Sequence, residues 1–95
     1  MNSKEAYQQK LQAQLAEWKA ETDKLQARAD QANADLQIDL NRRVRELQAK
    51  QELAKTRLDE LRAAGEASWD KLKSGVDKAF HDVGEGIKAA SRELQ

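Results

Sequence analysis

The fold is decided by residues 11–40, which have the sequence LQAQLAEWKAETDKLQARADQANADLQIDL. Apolar or small residues recur in this stretch at alternating steps of four and three positions. This is the heptad spacing of a helix that packs along one stripe. A helix of this polarity cannot bury such a stripe alone, so it needs a partner helix from another copy or from its own chain. The members of the stripe are Leu11, Leu15, Trp18, Thr22, Leu25, Ala29, Ala32 and Leu36.

The stripe continues to residue 61 with one change of spacing. Leu36, Leu40 and Val44 follow one another at steps of four, which lengthens the period and relaxes a left-handed supercoil. We call the whole stripe, from residue 11 to residue 61, the seam. Thr22 and Gln51 are its polar members, and such positions set register or stoichiometry at some cost in stability. The heptad after the change of spacing consists of Val44, Leu47, Gln51, Ala54, Leu58 and Leu61.

The ends of this helix can also be predicted. Asn2, with Glu5 three residues later, has the spacing of a capping box, so the helix is expected to begin at about Ser3. Gly65 is the only good stop signal in the first two thirds of the chain. It either opens a turn or occupies a costly helical position, and the sequence leaves both readings open. With either reading, we expect one helix from about Ser3 to Ala64.

The period changes after Gly65. Residues 66–76 and 77–87 align as two eleven-residue units, in which Trp69 matches Phe80. Eleven residues in three turns keep an apolar stripe nearly straight along a helix. Three glycines, each costing up to about 1 kcal/mol in a helix interior, make this third the softer part of the chain. They are Gly75, Gly84 and Gly86.

These patterns predict an all-α fold with two parts. Residues 1–64 form a long heptad coiled-coil helix, and residues 65–95 form a shorter amphipathic segment with eleven-residue repeats, either collinear with the first or folded back. Proline is absent, 36% of the residues are charged and 4% are aromatic. This composition favours continuous helix and excludes a sandwich, a barrel or a doubly wound sheet.

The composition also limits the classes of function. The formal net charge is zero, which argues against nucleic acid as a partner. Cysteine is absent, so no disulfide framework is expected. No stretch has the length and apolarity of a signal peptide or a membrane span, and a cytoplasmic location is expected.

Catalytic and metal chemistry have little support. His81 shares a helix face with Asp77 and Glu85 and lies beside Asp82, an arrangement that suits a weak divalent-metal site. An exposed histidine among ordinary surface charges is much the stronger interpretation. The sequence has no catalytic triad and no glycine-rich phosphate loop. We therefore expect a protein that is not an enzyme and that uses no cofactor or metal.

Two sets of residues are candidates for binding. The first is expected to form the interface of a homo-oligomer, a dimer or a trimer, or to bind a protein client. It consists of Leu11, Leu15, Trp18, Leu25, Leu36, Leu40, Val44, Leu47, Leu58 and Leu61. The second is the alternative: a face on the C-terminal segment that binds a membrane surface or another hydrophobic surface. It consists of Trp69, Leu72, Val76, Phe80, Val83 and Ile87.

A family resemblance covers nearly the whole chain. The pattern Tyr7…Leu11…Leu15-Ala16-Glu17-Trp18…Leu25…Ala29, followed by RLDELRAAGEASWDKLK over residues 57–73, resembles the short coiled-coil stress-response proteins of cyanobacteria and proteobacteria. The segment that starts at Trp69 is its most distinctive part. The resemblance implies a helical, cytoplasmic, non-enzymatic bacterial protein linked to stress. It supplies no catalytic or ligand-binding residues.

Overall fold

The computed structural model describes residues 2–93, and within them the chain forms three α-helices. These are α1 (Ser3–Gln31), α2 (Ala34–Ala63) and α3 (Glu66–Glu93). They form an elongated up-down-up bundle of 51 × 21 × 18 Å. The predicted all-α fold is confirmed. Met1 and the last two positions of the predicted 65–95 segment lie outside the described residues.

The single helix predicted over residues 1–64 is wrong, because the chain reverses between α1 and α2. Ala32 and Asn33 have extended backbone, with ψ angles of 161° and 166°. The Asn33 side chain accepts a hydrogen bond of 3.1 Å from the backbone N–H of Leu36, which caps the start of α2. Asp35 adds a negative charge to the first turn, where the helix dipole favours it. The two halves of the seam therefore face each other within one chain.

The second reversal lies at Ala64 and Gly65, where the sequence left two readings open. Ala64 has extended backbone, with a ψ angle of 148°, and α3 begins at Glu66. The N–H of Ser68 donates to the carbonyl of Gly65 at 3.1 Å. The C-terminal segment is therefore folded back on α2 rather than collinear with it.

One apolar core runs along the bundle and includes residues from all three helices. Leu58 and Leu61 from α2 and Val76 and Val83 from α3 are almost completely buried at its centre. Side chains at its edge are partly buried and pack against it, among them Tyr7. Because the core is shared, no helix buries its apolar face without the other two. The other buried members are Leu11, Leu25, Val44, Leu47, Ala54, Ala79, Phe80, Ile87 and Ala90.

The two polar positions of the seam meet between α1 and α2. The side-chain amide of Gln51 donates to the hydroxyl of Thr22 and, at 3.3 Å, to the carbonyl of Trp18. The Thr22 hydroxyl in turn donates to the Trp18 carbonyl at 2.8 Å, and Thr22 is only 2% exposed. Because a buried polar group without a partner is costly, this pairing selects one register of α2 on α1.

The glycines of α3 lie in different surroundings. A Cβ added at Gly86 would lie 2.8 Å from Cδ2 of the buried Leu47, so α3 approaches α2 closely there. A Cβ added at Gly84 would be in ordinary contact with Trp18, at 3.6 Å. A Cβ at Gly75 would meet nothing within 4 Å. A side chain at position 86 thus requires Leu47 to move, whereas one at position 75 does not.

Gly75→Ala and Gly86→Ala form a matched pair for testing this close approach. Gly75→Ala should raise the free energy of unfolding by up to about 1 kcal/mol, because alanine favours helix and the site is open. Gly86→Ala should gain less or lose stability, because Leu47 must move in a packed core. Urea unfolding followed by circular dichroism measures both. Equal gains from the two variants would contradict the close contact of α3 with α2.

A double-mutant cycle tests the polar pair. Thr22→Val and Gln51→Leu should each destabilise the protein by about 1 kcal/mol, because each removes the same hydrogen bond. The double variant should then cost less than the sum, with a coupling of about 0.5 kcal/mol or more. Thr56→Val, at an exposed position of α2, supplies the control and should combine additively with Gln51→Leu. Additivity in the Thr22 cycle would show that the two side chains do not interact.

Candidate functional site

The candidate functional surface is the apolar stripe of α3, which we call the α3 face. It is the second of the two residue sets predicted from the sequence, and α3 is far more amphipathic than α1 or α2. All six side chains turn towards the α1–α2 hairpin, four of them buried and the two nearest the start of α3 partly buried. They are Trp69, Leu72, Val76, Phe80, Val83 and Ile87.

Two aromatic pairs join α3 to α1. The helices α1 and α3 run in the same direction, and their backbones come close to each other at fewer places than those of the other two helix pairs. The rings of Trp18 and Phe80 lie 5.6 Å apart between centroids. Those of Tyr7 and Trp69 lie 5.9 Å apart, edge to face. Such pairs contribute roughly 0.5–1.5 kcal/mol each beyond the area they bury.

A cluster that we call the latch closes the α1–α3 side at the start of both helices. It consists of Lys4, Tyr7, Trp69, Lys73 and Asp77. The Tyr7 hydroxyl donates a hydrogen bond to the Asp77 carboxylate, which also accepts from Nζ of Lys73 at 3.0 Å. The Lys73 ammonium lies 4.9 Å from the Tyr7 ring centroid, and that of Lys4 lies 5.0 Å from the Trp69 ring. The latch thus combines hydrogen bonds with two cation–π contacts.

The latch shifts the pKa values of its two acidic groups in opposite directions. Burial, the hydrogen bond to Asp77 and the Asp77 charge all raise the pKa of Tyr7 well above its ordinary value of 10.0. Burial alone would raise the pKa of Asp77. The hydrogen bonds from Tyr7 and Lys73 and the Lys73 charge together lower it below 3.8. The neutral phenol and the ionised carboxylate are therefore the forms that the folded protein favours.

The residues predicted for an oligomer interface lie in contact within one chain. Leu15 and Trp18 are partly buried, and Leu36 is 45% exposed at the end of the bundle. The prediction of self-association stays a prediction, and the seam reaches a second copy only if the hairpin opens. The other members are buried: Leu11, Leu25, Leu40, Val44, Leu47, Leu58 and Leu61.

Sequence reasoning missed the latch and the most exposed of the large apolar side chains, Ile38. The i,i+4 spacing of Tyr7 with Leu11 indicates that Tyr7 lies on the apolar side of α1. The same spacing of Lys73 with Asp77 indicates an ion pair on α3. Neither spacing shows that these two parts of the latch meet, because Tyr7 and Asp77 are 70 positions apart. Ile38, in the first turns of α2, is 70% exposed and lies outside the seam.

The acidic groups near His81 are engaged elsewhere. Asp77 belongs to the latch, Asp82 accepts from Lys78 at 3.4 Å and Glu85 lies 3.7 Å from Lys88. Among residues 2–93, no three His, Cys, Asp or Glu side chains form a group that could hold a metal ion. None of the helices in that range is long and apolar enough to cross a membrane.

No protein-family model, curated protein or solved structure matches this chain. The two distinctive features of the bundle are the strongly amphipathic α3 and the latch that closes one side of it.

The latch predicts how stability depends on pH. Because the folded state lowers the pKa of Asp77, its contribution is present above about pH 4 and is lost as the pH falls further. Because it raises the pKa of Tyr7, that contribution is present below pH 10 and is lost as the pH rises. Tyr7→Phe should cost about 1 kcal/mol near neutral pH, and the difference from the wild type should shrink at both extremes.

Urea unfolding at acidic, neutral and alkaline pH measures this difference. Tyr7 is the only tyrosine of the chain, so the ultraviolet absorbance of its phenolate reports its titration directly. The phenol should ionise at higher pH in the folded protein than in urea. A destabilisation by Tyr7→Phe that does not change with pH would contradict the contact with Asp77.

Proposed function

We propose that the protein is a non-enzymatic interaction protein in which α3 leaves the α1–α2 hairpin and binds an apolar surface of a client protein. The observation that carries this proposal is the α3 face. Among the three helices α3 is the most amphipathic, and its backbone lies close to that of α1 at fewer places than to that of α2. A role in stress, when partly unfolded clients accumulate, is part of this proposal.

The energetics favour exchange of partners over spontaneous release. Fully burying one large apolar side chain is worth about 1.5–3 kcal/mol. Release of the six-residue α3 face into water is therefore too costly to occur often. A client that covers the same side chains restores the α3 share of that free energy, and the cost that remains is the exposure of the hairpin side chains that α3 had covered. We therefore expect α3 to leave the hairpin when an apolar surface is available to bind it.

The latch is suited to controlling this exchange. Lys4 and Tyr7 are on α1, and their partners Trp69 and Asp77 are on α3. The contacts lie at the rim of the core, where water reaches them, so they can break before the core separates. Weakening the latch from the α1 side also leaves the sequence of the α3 face unchanged.

A lipid surface is the second candidate occupant of the α3 face. The stripe from Trp69 to Ile87 runs nearly straight, so one side of α3 can lie flat on a bilayer. Residues 66–95 carry five basic and six acidic side chains, so they provide no electrostatic attraction to anionic lipid. Zwitterionic vesicles are therefore the appropriate probe.

A latch variant with Lys4→Ala and Tyr7→Phe tests the proposal. It should release α3 more often, which hydrogen exchange of the α3 amides measures. It should also suppress the light scattering of reduced, aggregating insulin at least twofold better than the wild type. Lys19→Ala is the control, because Lys19 pairs with Asp23 on α1 itself and should leave both readouts unchanged. Faster exchange in α3 without better suppression would contradict client binding.

The lipid alternative has its own readout in the same experiment. In a Trp18→Phe background, Trp69 is the only tryptophan, and its emission should shift to the blue with phosphatidylcholine vesicles if α3 binds lipid. The shift should be larger when the latch substitutions are added. Suppression of insulin aggregation without a vesicle-induced shift assigns the α3 face to protein clients. The reverse result assigns it to lipid and overturns the client proposal.

A further inference from the structure

We infer that two copies of this chain exchange their α1 helices, so that α1 of each copy packs on α2 and α3 of the other. In this dimer the turn at Ala32 and Asn33 becomes helical, and α1 and α2 form one continuous helix of about 90 Å. The partner is a second copy of the chain. The exchange uses a different turn from the proposed release of α3 and keeps α3 docked on α2.

The backbone of the turn differs little from that of a helix. The φ angles of Ala32 and Asn33 are −82° and −66°, close to helical values, and only their ψ angles, 161° and 166°, are extended. Residues 29–36 contain neither glycine nor proline. Rotation about two ψ bonds therefore joins α1 to α2. The joined helix also satisfies backbone N–H and C=O groups that two helix ends leave without intrahelical partners.

The seam stays on one face of the joined helix. Ala32, Leu36 and Leu40 continue it across the turn at steps of four, and Val44 and Leu47 return it to the heptad. At 100° per residue, every seam position from 11 to 61 stays within about 60° of the mean direction. Two such helices can therefore pack antiparallel along their whole length, related by a two-fold axis at the former turn.

The exchange conserves the specific contacts of the monomer. Gln51 with Thr22, Gln26 with Asn41 at 3.0 Å, and Lys4 with Glu66 at 3.6 Å all join α1 to the rest of the bundle. Each re-forms between copies with the same geometry. The dimer therefore loses little of the packing and polar pairing that stabilise the monomer.

The dimer also covers a seam residue that the monomer leaves exposed. Leu36 belongs to the seam but is 45% exposed, because α1 ends at Gln31 and no helix continues opposite it. At the two-fold axis of the dimer, Leu36 faces Ala32 and Leu36 of the second copy. This contact exists only between copies.

The first turn is the better place for exchange than the second. Gly65 would have to enter the interior of a joined α2–α3 helix, where glycine is costly. The first turn brings only Ala32 and Asn33 into the helix interior. The turn is held by the Asn33 cap, which accepts from the Leu36 N–H. The strength of that cap thus sets the balance between monomer and dimer.

Two variants change this balance in opposite directions. Asn33→Ala removes the cap and favours continuous helix, so it should lower the dimer dissociation constant about tenfold or more, with two turns converted per dimer. Ala34→Pro should hold the protein monomeric, because proline suits the first position of α2 and breaks a joined helix. Its restriction on the preceding residue matches the extended backbone of Asn33. Light scattering from micromolar to millimolar protein measures the masses.

The exchange itself is tested on the wild-type sequence, without depending on any variant's stability. Copies labelled with ¹⁴N and ¹⁵N are unfolded together, refolded at millimolar concentration, and cross-linked with a carbodiimide. The Lys4–Glu66 pair should then give peptides of mixed isotope, because in the exchanged dimer it joins two copies. A monomer, or a dimer of closed bundles, gives only unmixed peptides.

The expected result is a dimer fraction that rises with concentration, rises further in Asn33→Ala, is lost in Ala34→Pro and yields mixed peptides. Dimers that yield only unmixed Lys4–Glu66 peptides would overturn the exchange. So would equal masses for Asn33→Ala and Ala34→Pro across the whole series. Neither result bears on the release of α3, which hydrogen exchange in the latch variant measures separately.

Discussion

The burial of the seam against itself is the constraint on which the rest of the bundle depends. Neither α1 nor α2 has an apolar face strong enough to hold a helix in water alone, and most of the stability of such helices comes from packing. Reversal of the chain at Asn33 brings the two halves of one seam together. The hydrogen bond from Gln51 to Thr22 fixes the position of α2 along α1. With the register set, the hairpin presents the surface that α3 covers.

The elements that depend on local chemistry could be predicted from the sequence. Asn2 caps α1 by accepting from the Glu5 N–H at 2.8 Å, as its spacing predicts, and α2 ends at Ala63, next to the stop signal at Gly65. The ion pair of Asp39 with Arg43, at 3.9 Å, also follows from i,i+4 spacing. The two contacts join residues about one helical turn apart, and the helix end lies next to a glycine, which favours a break.

The elements that depend on distant contacts could not be predicted. Asn33 followed by Asp35 is a recognisable signal for the start of a helix. The alanines on either side of Asn33, however, suit the interior of one continuous helix equally well. The choice between turn and helix there is made by whether a seam partner comes from the same chain. The latch is a stronger case, because no spacing rule relates Tyr7 to Asp77. The all-α class could thus be predicted from the hydrophobic spacing, whereas the reversal of the chain after residue 31 could not.

The odd number of helices has a mechanical consequence. Because α1 and α3 run in the same direction, Ser3 and Glu93 lie near opposite ends of a body 51 Å long. A force applied between those points acts along the helix axes and shears the helices past one another, so many side-chain contacts resist it together. In a two-helix or four-helix bundle the same attachment points would lie at one end, and the helices could be peeled apart a few contacts at a time. A pull between these two points is therefore resisted along the whole length of the bundle.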